Sequence, residues 1–303
     1  MTPTSTPWCA DATLVRSLPP LFRWWARYVR LARNQRTGAV RGSSAVQRLC
    51  ASLTRAFGLD TTAVVTIRGV RLAVDLTDLR LSEAIHEMWT DVPEIPILAA
   101  ALGRGGTFLD VGANHGTYSM LLAPVVGPEG RVLAFEPQPE LAALIRRSFS
   151  ANSHGHAAVI EVGCSDGPGT VSFYRPVENS GSASMYRDSP GGPVRDTVTI
   201  RIDALDRLLA NESLPGRLAM KLDVEGAEVA TLRGAVRTLR AKRPLIVFEM
   251  NADSLHASGH TVADLAAALR EAGYEEFSEI DNYPATQSLD DLRETPQRNL
   301  IVY

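Results

Sequence analysis

Short apolar runs of strand length alternate with stretches of helical period along most of this chain. That alternation predicts an α/β fold built on a mostly parallel sheet. Two β-branched runs at 63–67 and 72–76 flank Arg68-Gly69-Val70-Arg71 and predict a hairpin. Phe108, Leu109 and Val111 mark a buried strand, and residues 131–137 repeat the pattern in a strand that ends at Glu136 and stops at Pro137. A third strand is expected over 159–162 with Cys164, a fourth over 218–223 and a fifth over 245–249, with closing strands at 277–280 and 299–303. Residues 169–175 and 198–203 predict a strand pair around a polar insertion at 178–196, rich in Ser, Gly and Pro, which is a candidate for substrate contact. Helical period covers 79–88, 95–102, a stretch from Thr117, 140–149 and 261–272, the last closed by Gly273.

The N-terminal stretch reads differently. Residues 1–20 open with Pro, Thr and Ser and close on Pro19-Pro20, which predicts a loosely ordered arm. Residues 21–36 place Arg23, Arg27 and Arg30 on one helical face and Trp24, Tyr28 and Leu31 on another; a second helix is expected over 45–57 after a break at 38–44. A basic amphipathic helix with aromatics suits the surface of an anionic membrane. The same helix also suits a lid or dimer element packed on the body, the commoner arrangement.

Length and charge sharpen this division. At 303 residues and 45% hydrophobic, the chain suits one large α/β domain, 58–303, behind an Arg-rich extension, 1–57. The net charge of −3 recommends no nucleic-acid partner, yet residues 1–57 hold nine Arg and one acid, Asp11, for +8, leaving about −11 on the rest. Cys9, Cys50 and Cys164 show no C-x-x-C pattern, so neither a disulfide framework nor a zinc site is indicated. No apolar run approaches the ~18 residues of a spanning helix, and no signal-peptide pattern opens the chain. The expected location is the cytoplasm, peripheral at a membrane if the basic helix docks there.

Candidate chemistry centres on Asp110-Val111-Gly112-Ala113-Asn114-His115-Gly116, a strand end turning tightly into a helix. Glycines there admit a ligand to the backbone, and Asp110 sets a carboxylate at the strand's carboxyl end, where open α/β sheets bind ligands. A dinucleotide site would show G-x-G-x-x-G, but Asn114 stands where the second glycine should admit a diphosphate. S-adenosylmethionine carries no phosphate and offers cationic groups and ribose hydroxyls, so Gly112, Asn114 and Gly116 beside Asp110 suit it better. Glu136, 26 residues beyond Asp110, is placed to accept from a ribose diol. Asp166, in a Ser-Asp-Gly turn, is a weaker candidate for an adenine amino group. A nicotinamide oxidoreductase and a non-catalytic cofactor-binding module stay open as alternatives.

Three acids crowd the turn Asp223-Val224-Glu225-Gly226-Ala227-Glu228, and strand period puts Lys221 on the face of Asp223. Glu225 and Glu228 have charge compensation at a helix N-terminus as a simple role, while Asp223 at the strand tip reads as a site residue. Glu249 ends the next strand. His86, Glu87 and Trp89 lie upstream of the glycine turn, where they suit the lining of the cofactor cleft, with ordinary helix-surface roles the commoner expectation for each. His256 and His260, at i and i+4, are interrupted by Gly259 and do not predict a metal pair.

Taken together, Asp110 to Gly116, Gly130-Arg131-Val132-Leu133-Ala134-Phe135-Glu136-Pro137, Lys221 to Glu228, Leu232-Arg233-Gly234-Ala235 and the Glu249 strand resemble the FkbM-type family of S-adenosylmethionine-dependent methyltransferases. The resemblance covers about 64–303. It implies a Rossmann-like, class I methyltransferase fold with a seven-stranded, mostly parallel sheet and a reversed last strand. It also implies O-methylation of a hydroxyl on a sugar, glycolipid or other small-molecule natural product. Asp223 and Glu249, on adjacent strand ends in that fold, are then the expected base, with His256 third. A divalent magnesium ion on Asp223 and Glu249 is the alternative means of activating the hydroxyl. The oligomeric state is left open.

Overall fold

The computed structural model describes residues 12–32, 43–89, 92–177, 180–295 and 297–303. Cys9, Arg33, Arg36, Arg41, most of the expected break at 38–44 and Glu178 lie outside them, as do the side chains of Tyr28, Arg30 and Leu31. The apolar runs become strands: β1 (Thr62–Ile67), β2 (Val70–Asp75), β3 (Thr107–Val111), β4 (Arg131–Phe135), β5 (Ala157–Ile160), β6 (Gly163–Ser165), β7 (Gly169–Pro176) and β8 (Val194–Ala204), followed by β9 (Leu218–Leu222), β10 (Leu245–Met250), β11 (Glu276–Glu279), β12 (Gln287–Ser288) and β13 (Arg298–Val302). The helices are α1 (Ala12–Ser17), α2 (Pro20–Ala32), α3 (Ser43–Ala56), α4 (Leu81–Trp89), α5 (Glu94–Leu102), α6 (Thr117–Val126) and α7 (Pro139–Ala151), then α8 (Leu205–Leu208), α9 (Glu228–Arg233), α10 (Val236–Lys242), α11 (Ala252–Ala257) and α12 (Val262–Glu271).

The main sheet runs β12-β11-β13-β10-β9-β3-β4-β5. Strands β5, β4, β3, β9 and β10 are parallel, and β13 runs antiparallel to both neighbours, which makes it the reversed last strand. Two-residue β12 extends the edge beyond the seven expected strands. Successive side chains of a strand point to opposite faces, so each parallel strand feeds two cores. Phe108, Val132, Ala134 and Ala219 join one, with helices α4 to α7; Leu109, Leu133, Met220 and Phe248 join the other, with α9, α10 and α12. Because β3, β4, β9 and β10 are covered on both faces, their residues are mostly apolar rather than alternating.

Two expectations are corrected. The supposed loose arm contains α1, and Leu14, Leu18, Phe22 and Trp25 are buried in the same core as Val65, Ile67 and Phe108. Pro20 opens α2 instead of breaking order, because a first-turn proline loses no helical hydrogen bond. Among the described side chains of α2, Phe22, Trp25 and Ala26 face inward and Trp24 points outward. The third strand also ends earlier than expected. The chain leaves the main sheet after Ile160, and Gly163–Ser165 pairs with β8 in a separate three-stranded sheet, β6-β8-β7.

Candidate active site

The carboxyl ends of β3, β4, β9 and β10 meet in one cleft, and the glycine turn forms its floor. Gly112 has φ of +83°, and a Cβ there would stand 1.8 Å from the carbonyl oxygen of Asp223, so the two strand ends close only over a glycine. The Asp223 amide donates to the Val111 carbonyl at 3.0 Å, which locks the same junction. Asn114 is left-handed, with φ of +51°, and its backbone N–H donates to Glu136 Oε2 at 2.8 Å. Gly116 caps α6; a Cβ there would press on Ile145 at 3.1 Å, and the residue lies outside the cleft lining.

Asp110 is buried, and its Oδ2 accepts from the Ser119 amide at 3.0 Å and hydroxyl at 2.6 Å, tying β3 to the first turn of α6. Burial pushes its pKa up to about 6 against those hydrogen bonds and the Lys221 charge. Asp110 also borders the cleft. His115 is carried inward, with Nε2 3.1 Å from Asp78 Oδ2. Burial opposes the Asp78 charge, but the hydrogen bond and charge of His115, with donors on Ser180 and Arg80, outweigh it and hold Asp78 at about 2. Asp78 thereby joins the β2–α4 connection, the glycine turn and the insertion.

The cleft has two parts. The narrower, about 50 Å³, is walled by Phe135, Val162, Phe173, Ala183 and Met185, with Glu136 and Gln138 at its polar side. Glu136 is enclosed, its Oε1 accepting from the Gln138 amide at 2.8 Å as Oε2 does from Asn114. Burial pushes its pKa up to about 7 against these two donors. The wider part, about 410 Å³, shares Gly112, Asn114, Asp223 and Glu225 with the first and adds Arg80, Glu83, Glu87, Tyr118, Lys221, Glu249 and Gln297.

Carboxylates dominate the wider part. Asp223, Glu225 and Glu249 each bring an oxygen within 4.8 Å of the others. Lys221 Nζ sits 2.9 Å from Asp223 Oδ2; burial opposes its charge, but Asp223, with Tyr118 and Glu249, outweighs it and keeps the ammonium protonated. Burial, then the charges of Asp223, Glu249 and Glu228, push Glu225 up to about 9. Glu249, hydrogen-bonded by Gln297 at 2.9 Å, is also raised by burial and by Asp223. Glu228 turns back to the Val224 and Gly226 amides and serves the turn before α9. The three clustered carboxylates are a hard-oxygen donor set of the kind magnesium takes.

Some expected residues lie elsewhere. Asp166 is exposed and absent from both parts of the cleft, because the chain has already crossed into the small sheet. His256 is exposed, pairs with Glu294 at 3.1 Å and is likewise outside the lining, so it is not placed to act as a base. Glu87 lines the cavity and accepts from Thr117 Oγ1 at 2.7 Å and from Arg80 at 3.0 Å, whereas His86 and Trp89 do not line it. Arg80, Tyr118 and Gln297 were not identifiable as site residues from the sequence, whereas Gly181 and Ser182 belong to the polar insertion expected beside the site. Arg80 falls at the start of the helical run at 79–88, where nothing sets it apart from an ordinary helix-surface arginine, and Gln297 is far from the other motifs in the chain.

A parallel sheet with a reversed last strand, a glycine turn after its central β3 and an enclosed acid after the neighbouring β4 define a Rossmann-like methyltransferase fold. The methyltransferase FkbM domain matches residues 110–276, and the chain belongs to that family. The hexuronic acid methyltransferase AglP of Haloferax volcanii is 25% identical over 172 residues, covering 54% of this chain and 67% of the relative. A protein-L-isoaspartate O-methyltransferase of Aeropyrum pernix is 34% identical over 131 residues, covering 40% of this chain and 49% of its own. The solved FkbM methyltransferase of Methylobacillus flagellatus is 19% identical, with a TM-score of 0.42, covering 86% of this chain and 60% of that one. Membership of a methyltransferase family stands against the nicotinamide oxidoreductase alternative.

Proposed function

We propose that this chain is an S-adenosylmethionine-dependent O-methyltransferase acting on a hydroxyl of a sugar, glycolipid or related small molecule. The observation that carries the reading is the enclosed Glu136, at the mouth of a narrow apolar pocket continuous with a wider acid-lined cavity. The cofactor fits the residues present. The apolar pocket suits an adenine, Glu136 a ribose diol, and the close approach at Gly112 leaves the room a side chain would fill. Bound there, S-adenosylmethionine supplies a methyl group on a sulfonium that an oxygen nucleophile can take.

The protein's own part is alignment and proton transfer. The cavity walls hold the acceptor hydroxyl in line with the methyl group, which replaces a bimolecular encounter with a positioned one. As the oxygen–carbon bond forms and the sulfur–carbon bond breaks, the hydroxyl proton passes to the Asp223–Glu249 pair. Lys221 orients Asp223 for this. A raised pKa makes Glu249 the better proton acceptor of an ordinary carboxylate pair. If magnesium occupies the three-carboxylate set, Asp223, Glu225 and Glu249 hold it and the metal acidifies the hydroxyl instead. EDTA decides between these: lost transfer restored by magnesium assigns the metal, and unchanged transfer assigns the carboxylates alone.

The lining also bears on the acceptor. Glu83, Glu87, Asp110, Asp223, Glu225 and Glu249 face only Arg80 and Lys221 among the described lining residues, which favours a neutral polyhydroxyl acceptor over a uronate. Calorimetry with S-adenosylmethionine and with NAD, followed by labelled methyl transfer to neutral and uronic sugars, tests the whole reading. Binding of NAD but not S-adenosylmethionine would overturn it.

A further inference from the structure

Beyond methyl transfer, we propose that the outer seam of α2 and α3 is a docking surface for an anionic membrane. Trp24 is 68% exposed and Phe57 71%, and Leu49, Leu53 and Leu59 are exposed with them. The inner faces of these helices already supply the core: Phe22, Trp25 and Ala26 from α2, Cys50 and Ala51 from α3. The exposed apolar side chains are therefore a second face that the described residues of the body leave uncovered.

Helical spacing gathers that face along one edge. The Cys50 thiol donates to the Leu21 carbonyl at 3.4 Å, which marks where the two helices meet. Residues three apart on a helix are neighbours. Trp24 therefore adjoins Leu21, Leu53 adjoins Cys50, and Leu49 adjoins the half-buried Val46, so all three flank the seam. Phe57 and Leu59 prolong the edge past the end of α3.

Charge identifies the occupant. The sequence from 12 to 59 holds no Asp or Glu, and Arg23 and Arg27 on α2 and Arg48 and Arg55 on α3 are exposed, with Arg16 exposed on the neighbouring α1. The Arg27 guanidinium lies 5.9 Å from the Trp24 ring centroid, so cation and indole occupy one surface. An indole at headgroup depth with arginines against lipid phosphates is the arrangement of an interfacial helix. A second copy fits worse, because a two-fold interface through this seam would set each arginine cluster against its own image. Among the described residues no helix is long and apolar enough to cross a membrane, so the contact is at the surface.

Co-sedimentation of the full-length protein with vesicles tests the proposal. Vesicles of equal parts phosphatidylcholine and phosphatidylglycerol should bind it, and pure phosphatidylcholine should not. Raising ionic strength from ~0.1 M to ~1 M shortens the screening length from about 10 Å to about 3 Å and should release it. Each arginine at an anionic surface strengthens binding about fivefold, so Arg27→Gln with Arg55→Gln should weaken it roughly 25-fold. Trp24→Ser with Phe57→Ser should weaken it at low salt too. All four side chains are exposed, and unchanged thermal unfolding confirms that the variants fold. Absent binding to the anionic vesicles, equal binding to both vesicle types, or wild-type binding by the Trp24/Phe57 variant would each overturn the proposal. So would a concentration-dependent dimer in sedimentation velocity that the Trp24/Phe57 variant abolishes without any vesicle binding, which would assign the seam to a second copy.

Discussion

Glu136 keeps both carboxylate oxygens on backbone amides, Asn114 on one side and Gln138 on the other, and still borders the narrow pocket. Glu136→Ala removes the acceptor proposed for a ribose diol, and the loss of hydrogen bonds to a charged group should weaken S-adenosylmethionine binding by ~1.5–3 kcal/mol. Calorimetry on a variant with an unaltered unfolding transition checks this; wild-type affinity would remove Glu136 from the site. Asp223→Asn leaves shape but removes half of the proton-accepting pair, and transfer should fall on the order of 10²-fold with a smaller change in cofactor affinity. Turnover near the wild-type level at saturating acceptor would shift the role to Glu249. These residues were legible because each acid ends an apolar strand. Asp166 misled for the same reason: its strand looked like the next in the series, and no local pattern distinguishes β6, in another sheet, from a main-sheet strand.

At the scale of elements, α1 and α2 belong to the core. Trp25 is wholly buried against residues of the body, so Trp25→Ala should destabilise the protein by about 3–5 kcal/mol, as deletion of a large buried aromatic does. Chemical denaturation measures it; a change below about 1 kcal/mol would mean the helix packs only loosely. The sequence hid this role. Pro19-Pro20 and the arginines look like an unfolded arm, and the burial of these helices is decided by partners remote in the sequence, β1 against α1 and α3 against α2. The insertion was legible as a loop near the site, but not its anchoring. Ser184 Oγ donates to the Glu225 carbonyl at 2.7 Å, and Ser180 reaches Asp78. Ser184→Ala should therefore raise KM for the acceptor more than for S-adenosylmethionine, and steady-state kinetics with each varied in turn will show which moves.

For the whole molecule, the buried acids set how stability responds to pH. Asp110, Glu136 and Glu228 are raised by burial from ordinary values of 3.8, 4.5 and 4.5 to about 6, 7 and 7, and Glu225, with neighbouring carboxylates adding to burial, to about 9. The folded protein therefore holds protons that the unfolded chain releases, so this stabilisation is full below those ordinary values and is lost as pH rises through the folded ones. The ligand-free protein should melt at a lower temperature at pH 8.5 than at pH 5.5, and Glu225→Gln should flatten the decline between about 7 and 9. A melting temperature that climbs across that interval in scanning calorimetry would contradict the burial of these groups. The strands themselves were largely readable because short apolar runs bounded by turns suit a doubly covered sheet. The cavity's outer wall was not, since Arg80, Glu87 and Gln297 are brought together by folding alone.

The meeting of Gly112 with the Asp223 carbonyl limits how this protein can diversify. A residue change at that junction disturbs both ends of the cleft at once, so a lineage acquiring a new acceptor has little freedom there. Arg80, Glu83 and Glu87 reach the cavity from outside the sheet, and Gly181 and Ser182 from the insertion; Arg80 and Glu87 also brace the glycine turn through Asn114 and Thr117, which leaves Glu83 and Ser182 the freer positions. Innovation should accumulate on these borrowed walls. Libraries randomised at Glu83 and Ser182 should yield folded proteins with altered acceptor preference, while those at Gly112 should yield few that fold at all.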